Sequence, residues 1–203
     1  MRRYACPNCR NEIHFGNSQC VSCGFLLGYV PGGDLFLARG EGGGWHDGPG
    51  AHEACANRSE IGCNWLVEAS GPHSHCLSCR HTLIIPDLSQ PENRDHWAAL
   101  EEAKRRLFYA ISKFGLSVGS LEEQPHTALR FEFKTDTLLA DGTVDPVLTG
   151  HESGLVTINV AEADDPVREE RRKAMGEPYR TLIGHFRHEI GHYFWDRLGA
   201  NSP

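Results

Sequence analysis

Two cysteine knuckles near the N-terminus limit how this chain can fold more than any other feature does. Cys6-Pro7-Asn8-Cys9 and Cys20-Val21-Ser22-Cys23 are separated by ten residues. Each knuckle curls the backbone so that two thiolates face one ion. Two knuckles complete a tetrahedron, which predicts a zinc ribbon. Gly24 suits the tight turn that follows the last of these cysteines. So short a segment buries too little apolar surface to fold alone. Structural zinc contributes on the order of 10–16 kcal/mol of apparent binding energy, enough to decide the matter. The alternative, a pair of disulfides or a redox CxxC, calls for a βαβ frame that the pattern around these residues lacks.

Four more cysteines follow, and the eight divide into two complete sets with none left over. Cys76-Leu77-Ser78-Cys79 is a third knuckle, and Cys55 and Cys63 lie upstream of it with seven residues between them. Cys55, Cys63, Cys76 and Cys79 together predict a second four-thiolate site, treble-clef or ribbon-like. His46, His52, His73, His75 and His81 crowd the same region. One of them could replace a thiolate, but the sulfur count is already sufficient, so they read as exposed loop residues. Zinc with four protein ligands leaves no open position for water, so both sites are expected to be structural.

Hydrophobic content of 39% with 23% charged residues fits a globular protein. No apolar run approaches the length needed to span a bilayer, and the start Met1-Arg2-Arg3-Tyr4-Ala5-Cys6 reaches a cysteine pair too soon for a secretory leader. Eight cysteines that read as metal ligands rather than disulfides place the chain in the cytoplasm. A formal net charge of −7 counts against a nucleic-acid partner. No heptad or large amphipathic seam indicates an oligomer.

Along the chain, Pro31-Gly32-Gly33 and Glu41-Gly42-Gly43-Gly44 read as turns or linkers around a short strand from Asp34 to Ala38. Thr82-Leu83-Ile84-Ile85 reads as a strand ending at Pro86. From about Pro91 to Leu116, Trp97, Leu100, Lys104, Leu107, Phe108, Ile111 and Phe114 recur three or four apart, which predicts a helix. Glu101-Glu102-Ala103-Lys104-Arg105-Arg106 reads as its solvated face. Leu129 to Lys134 alternates as a half-buried strand does, and Asp141-Gly142 offers a hairpin turn. Gly154 to Val160 is rich in β-branched residues and predicts another strand. The acids from Glu162 to Asp165 could bind Ca²⁺, but they fit better as favourable charge at the start of a short helix running from Pro166 to Met175.

His188-Glu189-Ile190-Gly191-His192 is the stretch with the most chemistry. Residues four apart on an α-helix sit one turn above each other, so both imidazoles can reach one Zn²⁺ with Glu189 beside a metal-bound water. Pro178 suits a first helical turn. Leu182, Ile183, Phe186, Ile190, Tyr193, Phe194 and Leu198 form an apolar stripe, and Gly199 offers a stop. With 12 histidines in the chain, the bland alternative is a chance pair, packed or on the surface. Gly191 between the two histidines suggests a close approach to the ion's surroundings or to a packed strand. Many zinc proteases pack a sheet against such a helix and pair one strand edge with extended substrate; Leu155 to Val160 is the candidate edge.

The ribbon, the segment Cys63-Asn64-Trp65-Leu66-Val67, the knuckle followed by Ile85-Pro86-Asp87-Leu88, and Gly184 to Tyr193 together resemble a bacterial family. It is the zinc-binding metallopeptidase family with an N-terminal zinc ribbon, and the resemblance covers essentially the whole chain. It implies a gluzincin-like peptidase with His188 and His192 as zinc ligands and Glu189 as the catalytic base. It also implies a longer chain, in which a further helix supplies an acidic third ligand. This sequence stops at Pro203, eleven residues past His192. The peptidase domain is therefore expected to be incomplete, and this form inactive unless a third ligand comes from Asp196, His185, His151 or Glu152. His185 and Asp196 could instead line the site and hold a ligand's second nitrogen by hydrogen bond.

The expected architecture is α+β: a zinc ribbon over residues 1–30, a second four-cysteine zinc module over 31–90, and the N-terminal part of a zincin-like metallopeptidase over 91–203. Its expected cofactors are two structural zinc ions and one catalytic zinc ion. Its expected partner is a protein or peptide substrate, hydrolysed by a zinc-activated water with Glu189 as general base. The competing expectation is a zinc-stabilised protein-interaction module without catalysis, which would present exposed residues such as Trp45 and Trp65.

Overall fold

The computed structural model describes residues 2–39, 43–46 and 50–199. The chain divides into two compact units, Met1–Arg80 and His81–Pro203. Of the expected linker at 41–44, Glu41 and Gly42 lie outside the described residues, as does the side chain of His46.

In the first unit, β1 (Tyr4–Ala5) and β2 (Glu12–Ile13) pair antiparallel across the first knuckle. A hairpin of β3 (Leu27–Val30) and β4 (Leu35–Ala38) follows. β5 (Trp45–His46), β6 (Ala51–Ala54) and β7 (Leu66–Glu68) then form an antiparallel three-stranded sheet, with the single-turn helix α1 (Arg58–Ile61) between β6 and β7. Gly24 has φ 74°, the left-handed backbone that its knuckle turn requires.

The segments bearing the two cysteine sets are tied to each other. Asn64 Nδ2 donates to the Phe15 carbonyl at 2.7 Å, and Arg58 donates to the carbonyls of Ser18 and Leu27 at 2.9 and 3.1 Å. The core between them is aromatic. Tyr29 packs against Phe15, Phe36 and Trp65 with ring centroids 5.0–5.4 Å apart. Trp65 is 1% exposed and Trp45 4% exposed, so the expectation that they form an exposed docking surface is corrected: both are core residues. The loop histidines also differ from expectation. His81 is fully buried, its Nδ1 2.5 Å from the Leu129 carbonyl, and His52, His73 and His75 are half-buried.

The second unit is built on a mixed four-stranded sheet in the order β12-β13-β9-β8. Here β8 is Thr82–Ile84, β9 Arg130–Lys134, β12 Gly150–Glu152 and β13 Leu155–Asn159. β8 and β13 both run parallel to β9, and β12 is antiparallel to β13. The hairpin of β10 (Thr137–Leu138) and β11 (Val144–Asp145) lies outside this sheet. The long helix α2 (Pro91–Lys113) makes the crossover that the parallel pair β8–β9 demands. α3 (Asp165–Ala174) and α4 (Leu182–Leu198) follow the sheet.

Alternate residues Phe131 and Phe133 of β9 and Val156 and Ile158 of β13 are completely buried, as one covered sheet face requires. Phe186 of α4 packs onto this face, its ring 5.7 Å from that of Phe131. The expected edge strand is corrected. β13 lies inside the sheet, where its β-branched side chains can be covered, and the edge on that side is the shorter β12. The Glu101 to Arg106 run is not wholly solvated either. Glu101 and Lys104 are fully buried and pair at 2.8 Å, Thr82 Oγ1 donates to the same carboxylate oxygen at 2.5 Å, and the ammonium lies over the rings of Phe131 and Phe133.

Breaking a buried ion pair by deleting one partner leaves an uncompensated charge. Lys104→Met is therefore expected to lower the unfolding free energy of the intact chain by about 3–5 kcal/mol. Urea denaturation followed through Trp97 fluorescence checks this, and Glu101→Leu added to Lys104→Met is expected to restore most of the loss.

Candidate active site and cysteine clusters

The eight cysteines are free thiols drawn into two sets. Within each set, Cys6, Cys9, Cys20 and Cys23 or Cys55, Cys63, Cys76 and Cys79, all four sulfurs lie within 4.8 Å of one another. Individual separations are 3.7 Å for Cys6–Cys23, 3.6 Å for Cys9–Cys20, and 3.8 Å for both Cys63–Cys76 and Cys63–Cys79. A tetrahedron with Zn–S bonds of about 2.3 Å has edges of about 3.8 Å, so both sets fit one zinc ion each. A disulfide would need about 2.05 Å. The second set is wholly buried; burial pushes the Cys76 thiol well above its ordinary range, whereas the hydrogen bond with Cys63 draws Cys55 down. In the more open first set, the Phe25 backbone amide draws Cys23 down to about 6.

In the second unit, α4 starts later than Pro178. Thr181 is its N-cap, with Oγ1 accepting from the Gly184 amide at 3.1 Å. The helix is anchored by one face. Phe186, Ile190 and Tyr193 are buried, and the Tyr193 hydroxyl donates to the Val118 carbonyl at 2.7 Å. On the opposite face His188 and His192 are exposed, and their Nε2 atoms converge to 3.3 Å. That is long for a hydrogen bond between two nitrogens. It equals the edge of about 3.3–3.4 Å in a tetrahedron with Zn–N bonds of about 2.0–2.1 Å, so the pair can hold one ion.

Glu189, 7% exposed, turns from this face into a cleft of about 740 Å³. Leu148, Asn159, Glu162, Arg180, His185 and His188 also line that cleft. Gly191 has open space where a Cβ would stand, so the expected close approach at this glycine is not found.

The four candidate third ligands do not join the pair. Among the described residues, only the two cysteine sets bring three or more ligand atoms within 4.8 Å. His151, on β12, has one ring nitrogen taken by a backbone amide. Its Nε2 accepts from the Gly154 amide at 3.0 Å, which leaves the proton on Nδ1, and Nδ1 faces Asp196 Oδ2 at 3.9 Å. Burial pushes His151 down, with the Asp196 carboxylate opposing. Glu152 is exposed beside it. His185 turns away toward Glu162, its Nε2 3.1 Å from Oε2 but off the line of a good hydrogen bond.

Glu162 is the residue that the sequence reading undervalued. It sits in a short 3-10 turn (Val160–Ala163) before α3, and it does not bear on the helix end; Asp164 is the cap there, accepting from the Val167 amide at 3.0 Å. The Glu162 side chain is 2% exposed, and Arg171 Nη1 and Arg180 Nη2 each donate to Oε1 at 2.7 Å. Burial alone would raise its pKa, but the contacts with His185, Arg180 and Arg171 outweigh it and hold the carboxyl below the usual carboxylate range.

The chain belongs to the family described as "Putative zinc-binding metallo-peptidase", whose model matches residues 93–203. A zinc-ribbon domain model matches residues 3–90. Three curated relatives, one from Mycobacterium bovis and two from strains of Mycobacterium tuberculosis, each described as an uncharacterized protein, are 38% identical over 202 residues. The alignment takes in 100% of this chain and 55% of each relative, so the chain spans about half the length of the curated relatives it matches. No solved structure matches the chain. Among the described residues, no helix is long and apolar enough to cross a membrane.

Because the Glu162 carboxyl is held low in the folded state, its stabilising contribution is complete above the unfolded value near 4.5 and is lost as pH falls below it. The unfolding free energy of the parent minus that of Glu162→Gln is therefore expected to be constant from neutral pH to about 4.5 and to shrink at lower pH. Denaturation curves of both proteins across that range measure it.

Proposed function

We propose that this chain carries the motif helix of a zinc-dependent peptidase, with His188 and His192 as ligands to the ion and Glu189 as the general base. The observation that carries the reading is the 3.3 Å convergence of the two imidazoles on the exposed face of a helix whose next residue, Glu189, enters a cleft. A zinc ion held there would polarise a peptide carbonyl and lower the pKa of a water to about 7. Glu189 would accept a proton from the attacking water and pass it to the leaving amine nitrogen. Such base catalysis is typically worth roughly 10²–10⁴-fold. The edge strand β12, next to α4, is the natural partner for an extended peptide. Cys6, Cys9, Cys20 and Cys23 hold one structural zinc ion in this reading, and Cys55, Cys63, Cys76 and Cys79 a second. The substrate is a protein or peptide, and the reduced thiols fit the cytoplasm.

A second reading, a zinc-stabilised interaction module without catalysis, has one observation in its favour: among the described residues no third ligand stands near the imidazole pair. The burial of Trp45 and Trp65 removes the docking surface first expected for it.

Metal counting separates the two. Under the peptidase reading the parent takes up three zinc ions, and His188→Ala or His192→Ala takes up two; a parent that saturates at two supports the module. Extended to the length of its curated relatives, the chain is expected to cleave an unstructured protein substrate, and Glu189→Gln to slow this by roughly 10²–10⁴-fold. Equal rates for variant and parent would discard Glu189 as the base. Stripping both sulfur-bound ions with a chelator is expected to unfold the first unit, seen as loss of its dispersed amide NMR signals.

A further inference from the structure

Glu162 is not in the motif and, among the described residues, makes no hydrogen bond or ion pair with His188 or His192, yet it lines the same cleft as His188 and Glu189. It gathers three separate elements onto one carboxylate: Arg171 from α3, Arg180 from the segment between α3 and α4, and His185 from the first turns of α4. His185 stands three residues before His188, so on a helix it is the neighbour on the adjoining turn. The chain of contact therefore runs from a carboxylate that is 2% exposed, through His185, to the turn that presents the proposed ligand.

The charges of the cluster are also unequal. Arg180 faces Glu177 at 3.0 Å as well as Glu162, and Arg171 faces Asp136 at 4.0 Å as well as Glu162. Two guanidiniums thus face three carboxylates, and the carboxyl of Glu162 stays ionised well into acid. Among the charged groups that line the cleft, the carboxylates of Glu162, Glu177 and Glu189 outnumber the guanidiniums of Arg171 and Arg180 by one, and without Glu162 the two signs would only balance.

We propose that Glu162 is a positioning residue for the divalent ion: it fixes the first turns of α4 through His185 and supplies the negative charge that offsets Arg171 and Arg180 in the cleft that His188 lines. The proposal rests on the reading of His188 and His192 as zinc ligands. Groups hydrogen-bonded to a metal's ligands typically change its affinity by roughly 10–100-fold, and a charge that acts through one turn of helix is expected at the lower end. Because the cluster acts by charge as well as by contact, the loss of Glu162 can be compensated by removing a cation that it balances. A purely structural role has no such remedy.

The test is a zinc titration of the intact chain, with ion binding at the pair read from the His188 and His192 imidazole NMR signals. Glu162→Gln is expected to weaken zinc binding there roughly tenfold. Arg171→Gln, which removes a half-exposed cation, is expected to tighten it. The double variant is expected to return close to the parent, and the differences are expected to shrink as salt is added. If Glu162→Gln binds as the parent does, or the double variant stays as weak as Glu162→Gln, the proposal is overturned. Should Glu162→Gln fail to fold, Arg171→Gln alone decides: unchanged affinity overturns the proposal. A parent whose His188 and His192 signals do not respond to zinc at all refutes the peptidase reading itself, an outcome distinct from the others.

Discussion

Two imidazoles can converge on one point from a single helix only if the rest of that helix cannot roll. In the second unit this constraint falls on α4, whose far side is fixed by Phe186 against Phe131 and Phe133, and by Tyr193 through its hydroxyl to Val118. Rotation by even a fraction of a turn would carry Phe186 out of a completely buried position. The apolar stripe and the polar motif are thus one device: burial of one face sets the azimuth of the other. The sheet beneath α4 is in turn kept in place by α2, whose buried Lys104–Glu101 pair closes against β8 and β9.

The first unit obeys a different economy. It is made of strands two to four residues long and a single-turn helix, too little regular structure to stabilise a chain of this length through backbone pairing. What organises it is the pair of sulfur tetrahedra and the aromatic core between them. The cross-links from Asn64 and Arg58 to the ribbon's carbonyls mean that the two sites are not independent beads. The backbone beside one set is thus hydrogen-bonded to the segment that carries the other.

How much of this could be read from the residues depends on how local the cause is. The division of the cysteines into two sets is local, because a knuckle is a four-residue object and the count leaves no remainder. The imidazole pair is local too, since the period of a helix alone brings residues 188 and 192 together. The helix over Pro91–Lys113 and the strand at β9 followed from periodicity in the same way. What escaped was set by distance in sequence. Glu162 meets Arg180 18 residues later, and no spacing rule connects them, so its acid neighbours suggested a helix-end role that belongs to Asp164. β13 was taken for an edge because a β-branched run looks alike at either place. Only the pairing with both β12 and β9 separates the two. The buried states of Trp45, Trp65 and His81 depend on partners that a single residue does not announce.

His151 links the two sides of the proposed site, and its chemistry explains why it is a brace and not a third ligand. A ring nitrogen that accepts from the Gly154 amide has spent its lone pair, and the other nitrogen then carries the proton and faces Asp196. Gly154 must be glycine, with φ 85° and space for no Cβ beside the Thr127 and Ala128 carbonyls, so the turn that points its amide at His151 is itself fixed. The ring of His151 meets that of Tyr193 edge-on at 6.0 Å, which packs the edge strand β12 against α4. An extended chain that paired with β12 would lie on the side of the sheet next to the helix that carries His188 and Glu189. His151 thus holds strand and helix together through Tyr193, with its ring nitrogens turned to Gly154 and Asp196.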